Sequence, residues 1–114
     1  MNAPQKKFAL SAEQIKPLAT GRGGCIATDR ITVDGRPVGY MERQETTRPG
    51  DSGWRFTAGD ENQAYMSERT NHQVYDVNTI ANYSPDIIEF LDAPPRSAFE
   101  RNAAGQLVKV PYGG

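Results

Sequence analysis

Four carboxylates, Asp60, Glu61, Asp76 and Asp86, are the side chains best suited to move protons in this chain. Two of them converging in one pocket would push their pKa values apart and supply an acid and a base. Each also stands where a cap or a turn would want an acid, and that role needs no active site. Cys25 and His72 could meet in space as a thiol–imidazole pair. They lie 47 positions apart with no flanking motif. Cys25 opens a β-prone run, where a small buried apolar residue is the default. His72 falls in the polar stretch Thr70–Gln73 and reads as an exposed loop residue.

Metal chemistry has little to work with. One cysteine and one histidine cannot build a Cys/His zinc site in a single chain. No DxDxDG-like calcium loop is present. Asp60-Glu61 could assist a magnesium ion, but a helix start explains the pair as well. The glycine-rich stretch TGRGGC lacks the GxxxxGK[ST] spacing of a phosphate-binding loop. The expectation is therefore no catalytic group, no metal and no cofactor.

The remaining candidates are aromatics and amides. Trp54, Phe56, Tyr65, Tyr75 and Tyr83 crowd the middle of the chain, together with most of the acids. Tyr and Trp beside charged groups suit a protein-binding surface. Trp54 and Phe56 also suit a core. Asn78 and Asn82, one helical turn apart, could cap backbone or face a partner.

Charge bounds the partner. Lys and Arg number 13 and Asp and Glu 14, for a net charge of −1. A globally basic nucleic-acid binder is not expected. Residues 1–50 carry eight basic and five acidic side chains, residues 51–100 three basic and nine acidic, and residues 101–114 two basic and none acidic. The acidic middle is either a set of helix starts and solvated faces or a surface that steers a basic partner. No apolar run approaches a membrane span. The N-terminal stretch lacks the apolar core of a signal peptide. The single cysteine excludes an internal disulfide framework. A cytoplasmic protein is expected.

With 114 residues the chain is one domain's worth. Leu, Ile, Val and Phe total 20, so the core must be modest and lean on aromatics. Residues 1–23 read as an N-terminal extension, with a short helix from Ala12 to Leu18 behind a Ser11/Gln14 capping box, and residues 24–112 as a single domain. Residues 25–33 and 36–43 flank Asp34-Gly35, a hairpin signal. Ile31, Val33, Val38 and Tyr40 would share one face of that hairpin. Gly39 inside its second strand suggests a bulge or a close approach.

Residues 44–53 read as a loop. Trp54 and Phe56 alternate with Arg55 and Thr57 as in a half-buried strand. Asp60 is placed to cap a helix over residues 61–69, with Gln63 as capping-box partner. Val74–Val77 is a short β-like run, Asp76 precedes a two-turn helix, and Ser84-Pro85-Asp86 opens another. Pro94-Pro95 stops it. Residues 97–101 and 106–112 form a closing hairpin. Gly113 and Gly114 read as a frayed end. The pattern is α+β: a mostly antiparallel sheet with short helices packed on one face.

Three stretches carry a resemblance. Gly53, Trp54, Phe56, Gly59, Asp60 and Glu61 form a Gly-Trp-x-Phe-x-x-Gly-Asp-Glu motif; Asn78–Tyr83 form Asn-Thr-Ile-Ala-Asn-Tyr; Ser97–Arg101 form Ser-Ala-Phe-Glu-Arg. Over roughly residues 24–110 the chain resembles a bacterial family grouped with the immunity proteins of polymorphic toxin systems, immunity protein thirty-three. The resemblance implies a cytoplasmic protein that binds and neutralises a cognate toxin by occlusion. Under that reading Asp60, Glu61, Tyr65, Asp76 and Asn82 are expected at the contact surface, with Trp54 supporting it from beneath. The alternatives are a regulatory or ligand-binding module with another partner and, less favoured, a small enzyme using its carboxylates.

Overall fold

A computed structural model describes residues 6–113. Residues 1–5 of the expected extension and Gly114 of the expected frayed end lie outside the described residues. Among the described residues six strands form one sheet: β1 (Gly24–Thr28), β2 (Tyr40–Arg43), β3 (Asp51–Thr57), β4 (His72–Asp76), β5 (Ser97–Arg101) and β6 (Leu107–Val110). Their order across the sheet is β4-β1-β3-β2-β5-β6. Only β1 and β3 run parallel; the other four pairings are antiparallel. Three short α-helices join them: α1 (Asp29–Thr32), α2 (Gln63–Ser67) and α3 (Val77–Tyr83), with a 3-10 helix at Pro85–Phe90. The architecture is α+β, as expected.

The core lies between one sheet face and the layer formed by α1, α3 and the 3-10 helix. Trp54, Phe56, Met41, Cys25 and Ala27 point into it from the strands. Ile31, Val77, Ile80, Ile87 and Leu91 meet them from the helical layer. Burying each large apolar side chain contributes about 1.5–3 kcal/mol. Trp54 stacks on Phe56 with centroids 6.0 Å apart, and its indole N–H donates to the Leu91 carbonyl at 3.3 Å. The Arg43 guanidinium also lies over the indole, 5.8 Å from its centroid.

The hairpin expected at Asp34-Gly35 is absent. The chain leaves β1 at Thr28 and turns at once into α1, which buries Ile31 and Thr32. Gly35, at φ 77°, ends that helix: its N–H donates to the Ile31 carbonyl, and that of Arg36 to the Arg30 carbonyl. A left-handed glycine serves a helix stop as well as a hairpin turn, and burial of Ile31 decides for the stop. Val38 is buried with Ile31, but Tyr40 points to the opposite face of the sheet. The close approach expected at Gly39 is present. A Cβ there would stand 1.8 Å from the Ala58 carbonyl oxygen.

The helix expected over residues 61–69 shortens to α2, and its cap is Asn62, whose side chain accepts from the Tyr65 N–H. A separate 3-10 turn, Arg69–Asn71, and the start of β4 take up residues 69–73. The α3 helix starts as expected, with Asp76 accepting from the Asn78 N–H at 2.8 Å. The closing hairpin also forms as expected, β5 against β6.

Residues 6–19 run along α3 as a strap. The expected helix there is reduced to the turn Ala12–Gln14, ahead of Pro17. Asn78 Oδ1 accepts from the Leu18 and Ala19 N–H groups at 2.7 and 2.8 Å, and Asn82 Oδ1 from that of Lys16 at 2.9 Å. Both asparagine amides donate back to the Lys16 carbonyl. Further out, the Leu10 N–H donates to the Tyr83 hydroxyl, Phe8 meets the Tyr75 ring edge-on, and Lys6 pairs with Asp29.

Candidate functional site

The sheet has a second face, and the helical layer does not cover it. The strand pairings place its side chains in two rows. One runs Val74, Ile26, Arg55, Glu42, Ala98 and Val110. The other places His72 beside Thr28 on β4 and β1, and Thr57, Tyr40, Glu100 and Val108 across β3, β2, β5 and β6. Strand alternation requires this: Arg55 sits between the buried Trp54 and Phe56, and Glu42 follows the buried Met41. A cleft of about 420 Å³ opens on this face, between Tyr40, Glu42, Arg55 and Thr57 on the sheet and Glu61 and Met66 beside α2. Glu100 closes its far side and also borders a second hollow of about 390 Å³ that reaches Asp60 and Arg101.

Three of the charged groups in the cleft, Glu42, Glu61 and Arg55, are held by identifiable contacts. Glu42 accepts from the Tyr40 hydroxyl and the Gln44 amide, both at 2.9 Å. Burial, reinforced by the Glu42 carboxylate, raises the Tyr40 phenol to about 12, so it remains a donor at neutral pH. Glu61 accepts from the Ala58 and Gly59 N–H groups at 2.8 and 2.9 Å and from the Thr28 hydroxyl. Arg55 donates to Asp51 through two hydrogen bonds of 3.1 and 2.9 Å and to the Trp54 carbonyl at 3.0 Å. That guanidinium holds the Asp51 carboxyl well below the usual range.

The residues singled out in the sequence are distributed over the molecule. Glu61 lines the cleft, and Asp60 lies next to it, bound through both oxygens by Arg30, which holds its carboxyl down. Tyr65 is half-buried on α2, and burial raises its phenol. Asp76 lies elsewhere. It pairs with Gly24 at one end of β1, whereas Glu61 binds Thr28 at the other. Four residues of strand separate those positions, roughly 13 Å. Asp76 caps α3, and Asn82 holds the strap. Trp54 is 1% exposed and points into the helical side, away from the cleft. Asp86 is gripped by Arg101 and Ser84, and Arg101 lowers its pKa.

Asp60 and Asp76 therefore do not form an acid–base pair. Nor do Cys25 and His72. Cys25 pairs with Tyr75 and is buried on the helical side, while His72 pairs with Thr28 three positions along the strand. The His72 Nε2 contacts the Met66 carbonyl at 2.8 Å. Burial raises the Cys25 thiol to about 12. Among the described residues no three His, Cys, Asp or Glu side chains gather as metal ligands, and no helix is long and apolar enough to cross a membrane.

Sequence reasoning missed Tyr40, Glu42, Thr57, Met66 and Glu100 as cleft residues. The signal was present in part. Glu42, Arg55 and Thr57 alternate with Met41, Trp54 and Phe56, which marks an outward face. The cross-strand register that assembles them was not legible.

Comparison with known proteins adds the family. No curated protein and no solved structure matches the chain. The family model described as the Immunity protein Imm33 domain matches residues 25–111. This range takes in all the strands but the first residue of β1, together with α1, α2 and α3, and leaves out the strap. The chain belongs to the Imm33 family of immunity protein domains.

Proposed function

We propose that this protein binds a cognate toxin and neutralises it by occlusion, inside the cell that carries both. Membership of the immunity family is the observation that carries this reading. The structure is consistent with a role in which binding, not turnover, does the work. The carboxylates Asp76 and Asp86 serve a helix cap and an ion pair, and Asp60 is bound by Arg30. A rigid scaffold that displays fixed side chains is what an inhibitor needs, because ordering costs are then already met before association. Asp60, Glu61 and Tyr65 belong to the contact surface in this reading, grouped around α2. Asp76 caps α3, Asn82 holds the strap and Trp54 packs in the core.

The test is capture of partners by the tagged, full-length protein from its source cells, followed by expression of each partner alone. The reading expects one stoichiometric protein that arrests growth by itself and is silenced when this chain is co-expressed. A captured partner that is harmless alone, or a toxic one that this chain fails to silence, would overturn it.

A further inference from the structure

We propose that the cleft on the sheet face opposite the helical layer is the surface that docks the toxin, and that it takes a basic side chain flanked by apolar ones. The proposal rests on the immunity reading for the identity of the partner. Its argument comes from the chemistry of the face itself.

The centre of the face carries preorganised negative charge that its own chain does not neutralise. Glu42 is fixed by two neutral donors, a phenol and an amide. Glu61 is fixed by two backbone N–H groups and a hydroxyl. Glu100 is exposed and, among the described ion pairs, takes part in none. The cleft's one arginine, Arg55, is taken by Asp51. Three carboxylates thus face a single cleft, Glu42 and Glu61 held in place and Glu100 exposed at its border, and none of them forms an ion pair among the described residues. An arginine or lysine entering from a partner would meet charge whose orientation is already fixed.

Exposed apolar side chains flank that centre on the same face, with Arg48 and Asp51 at one edge. Val74 is 68% exposed at one end of its row, next to the half-buried Ile26. Pro49 lies beside them around a shallow hollow of about 160 Å³. Met66 and Val108, each 39% exposed, flank the charged centre. Soluble chains tolerate scattered exposed apolar residues. A set sharing the sheet face opposite the helical layer with a charged centre has the anatomy of a protein-binding surface. Charge complementarity names the occupant: a protein surface with a basic residue at its centre. Nucleic acid is disfavoured by the same carboxylates.

Two measurements on the full-length protein test this. The first titrates the face with a probe of matching chemistry, the capped tripeptide acetyl-Leu-Arg-Leu-amide, and follows backbone amide shifts. Saturable shifts confined to Tyr40, Glu42, Thr57, Glu61 and Glu100, lost in a Glu42→Gln/Glu100→Gln variant, are expected. Shifts centred on the helical layer, or none, would overturn the proposal. So would concentration-dependent dimerisation through this face, which would make a second copy its occupant. The second measures association of the captured toxin. Glu42→Gln/Glu100→Gln is expected to slow it about tenfold at low salt and flatten its salt dependence. Glu13→Gln/Glu89→Gln, away from the face, should change it by less than twofold. The two failures are distinct. A toxin bound through the helical layer removes the face and keeps the immunity reading. Peptide binding on the face without any silenced toxin does the reverse.

Discussion

Glu42 and Arg55 stand directly opposite each other on β2 and β3, yet the guanidinium turns from Glu42 to Asp51. A cross-strand pair of opposite charge would ordinarily be satisfied in place. Here Asp51, four residues before Arg55 on the same strand, takes both guanidinium nitrogens that face it, and Glu42 keeps its charge for the cleft. The negative character of the face therefore depends on a residue outside its centre. Asp51→Asn should release Arg55 toward Glu42 and weaken toxin association even though the substituted side chain lies outside the docking centre. Association rates of this variant, compared with Glu42→Gln, check the point.

The same ion pair sets an acid dependence of stability. The Asp51 carboxyl is held down in the fold by Arg55, and that of Asp86 by Arg101. An aspartate whose folded pKa lies below its unfolded value of about 3.9 stabilises the fold above that pH. The contribution fades as pH falls through the lower, folded value. Stability should therefore drop below about pH 4. Asp51→Asn should lower stability at pH 7 by on the order of 2 kcal/mol and flatten the acid limb. Urea unfolding midpoints from pH 2 to 7 measure both effects.

Removing the asparagines on α3 should free the strap and leave the core alone. Asn78→Ala takes away the acceptor of the Leu18 and Ala19 amides, and Asn82→Ala that of Lys16. Each lost hydrogen bond is worth about 1 kcal/mol. Hydrogen exchange at these three amides should quicken five- to tenfold while β1 and β3 keep their protection. Uniform acceleration across the chain would show that the strap is part of the cooperative unit.

Gly39→Ala is expected to be among the most damaging single substitutions. Its Cβ would overlap the Ala58 carbonyl oxygen at 1.8 Å, and the atoms it meets are all backbone of Ala58 and Gly59. Overpacking of this kind costs about 3 kcal/mol or more where nothing can yield. Gly113→Ala, with no atom within 4 Å of the added carbon, is the matched control. Denaturant midpoints of the two variants should separate clearly.

Cys25 should be inert in the folded protein. Burial raises its thiol to about 12, with Asp76 adding to the shift. Thiol reagents at pH 8 should modify it only at the rate of unfolding, and fully once urea is added. Rapid labelling of the native protein would contradict its placement in the core.

Much of the fold was legible from the sequence because the signals were local. Trp54 and Phe56 alternate with polar neighbours and form the strand they imply. Asp76, and the Ser84-Pro85-Asp86 sequence, start their helices where their types require. The failures came where two local signals competed. Asp34-Gly35 fits a hairpin and a helix stop alike, and only the tertiary burial of Ile31 selects the stop. Asp60 is as good a cap as Asn62 by type, but Arg30 claims it from a distant helix. The candidate site was less legible. Glu61 was singled out, yet Glu42 and Glu100 come from other strands, and their meeting is a matter of register. Asn78 and Asn82 stand one helical turn apart in the sequence, but that they hold residues 16–19 depends on where the strap runs.

The most direct measurement is growth of cells that express the captured toxin together with this chain or its Glu42→Lys/Glu100→Lys variant. Circular dichroism and urea unfolding of the purified variant confirm that it is folded. The account predicts full growth with the natural chain and arrest with the folded variant. Equal protection by both would remove the sheet face opposite the helical layer from the interface, and arrest with both would contradict the immunity function itself.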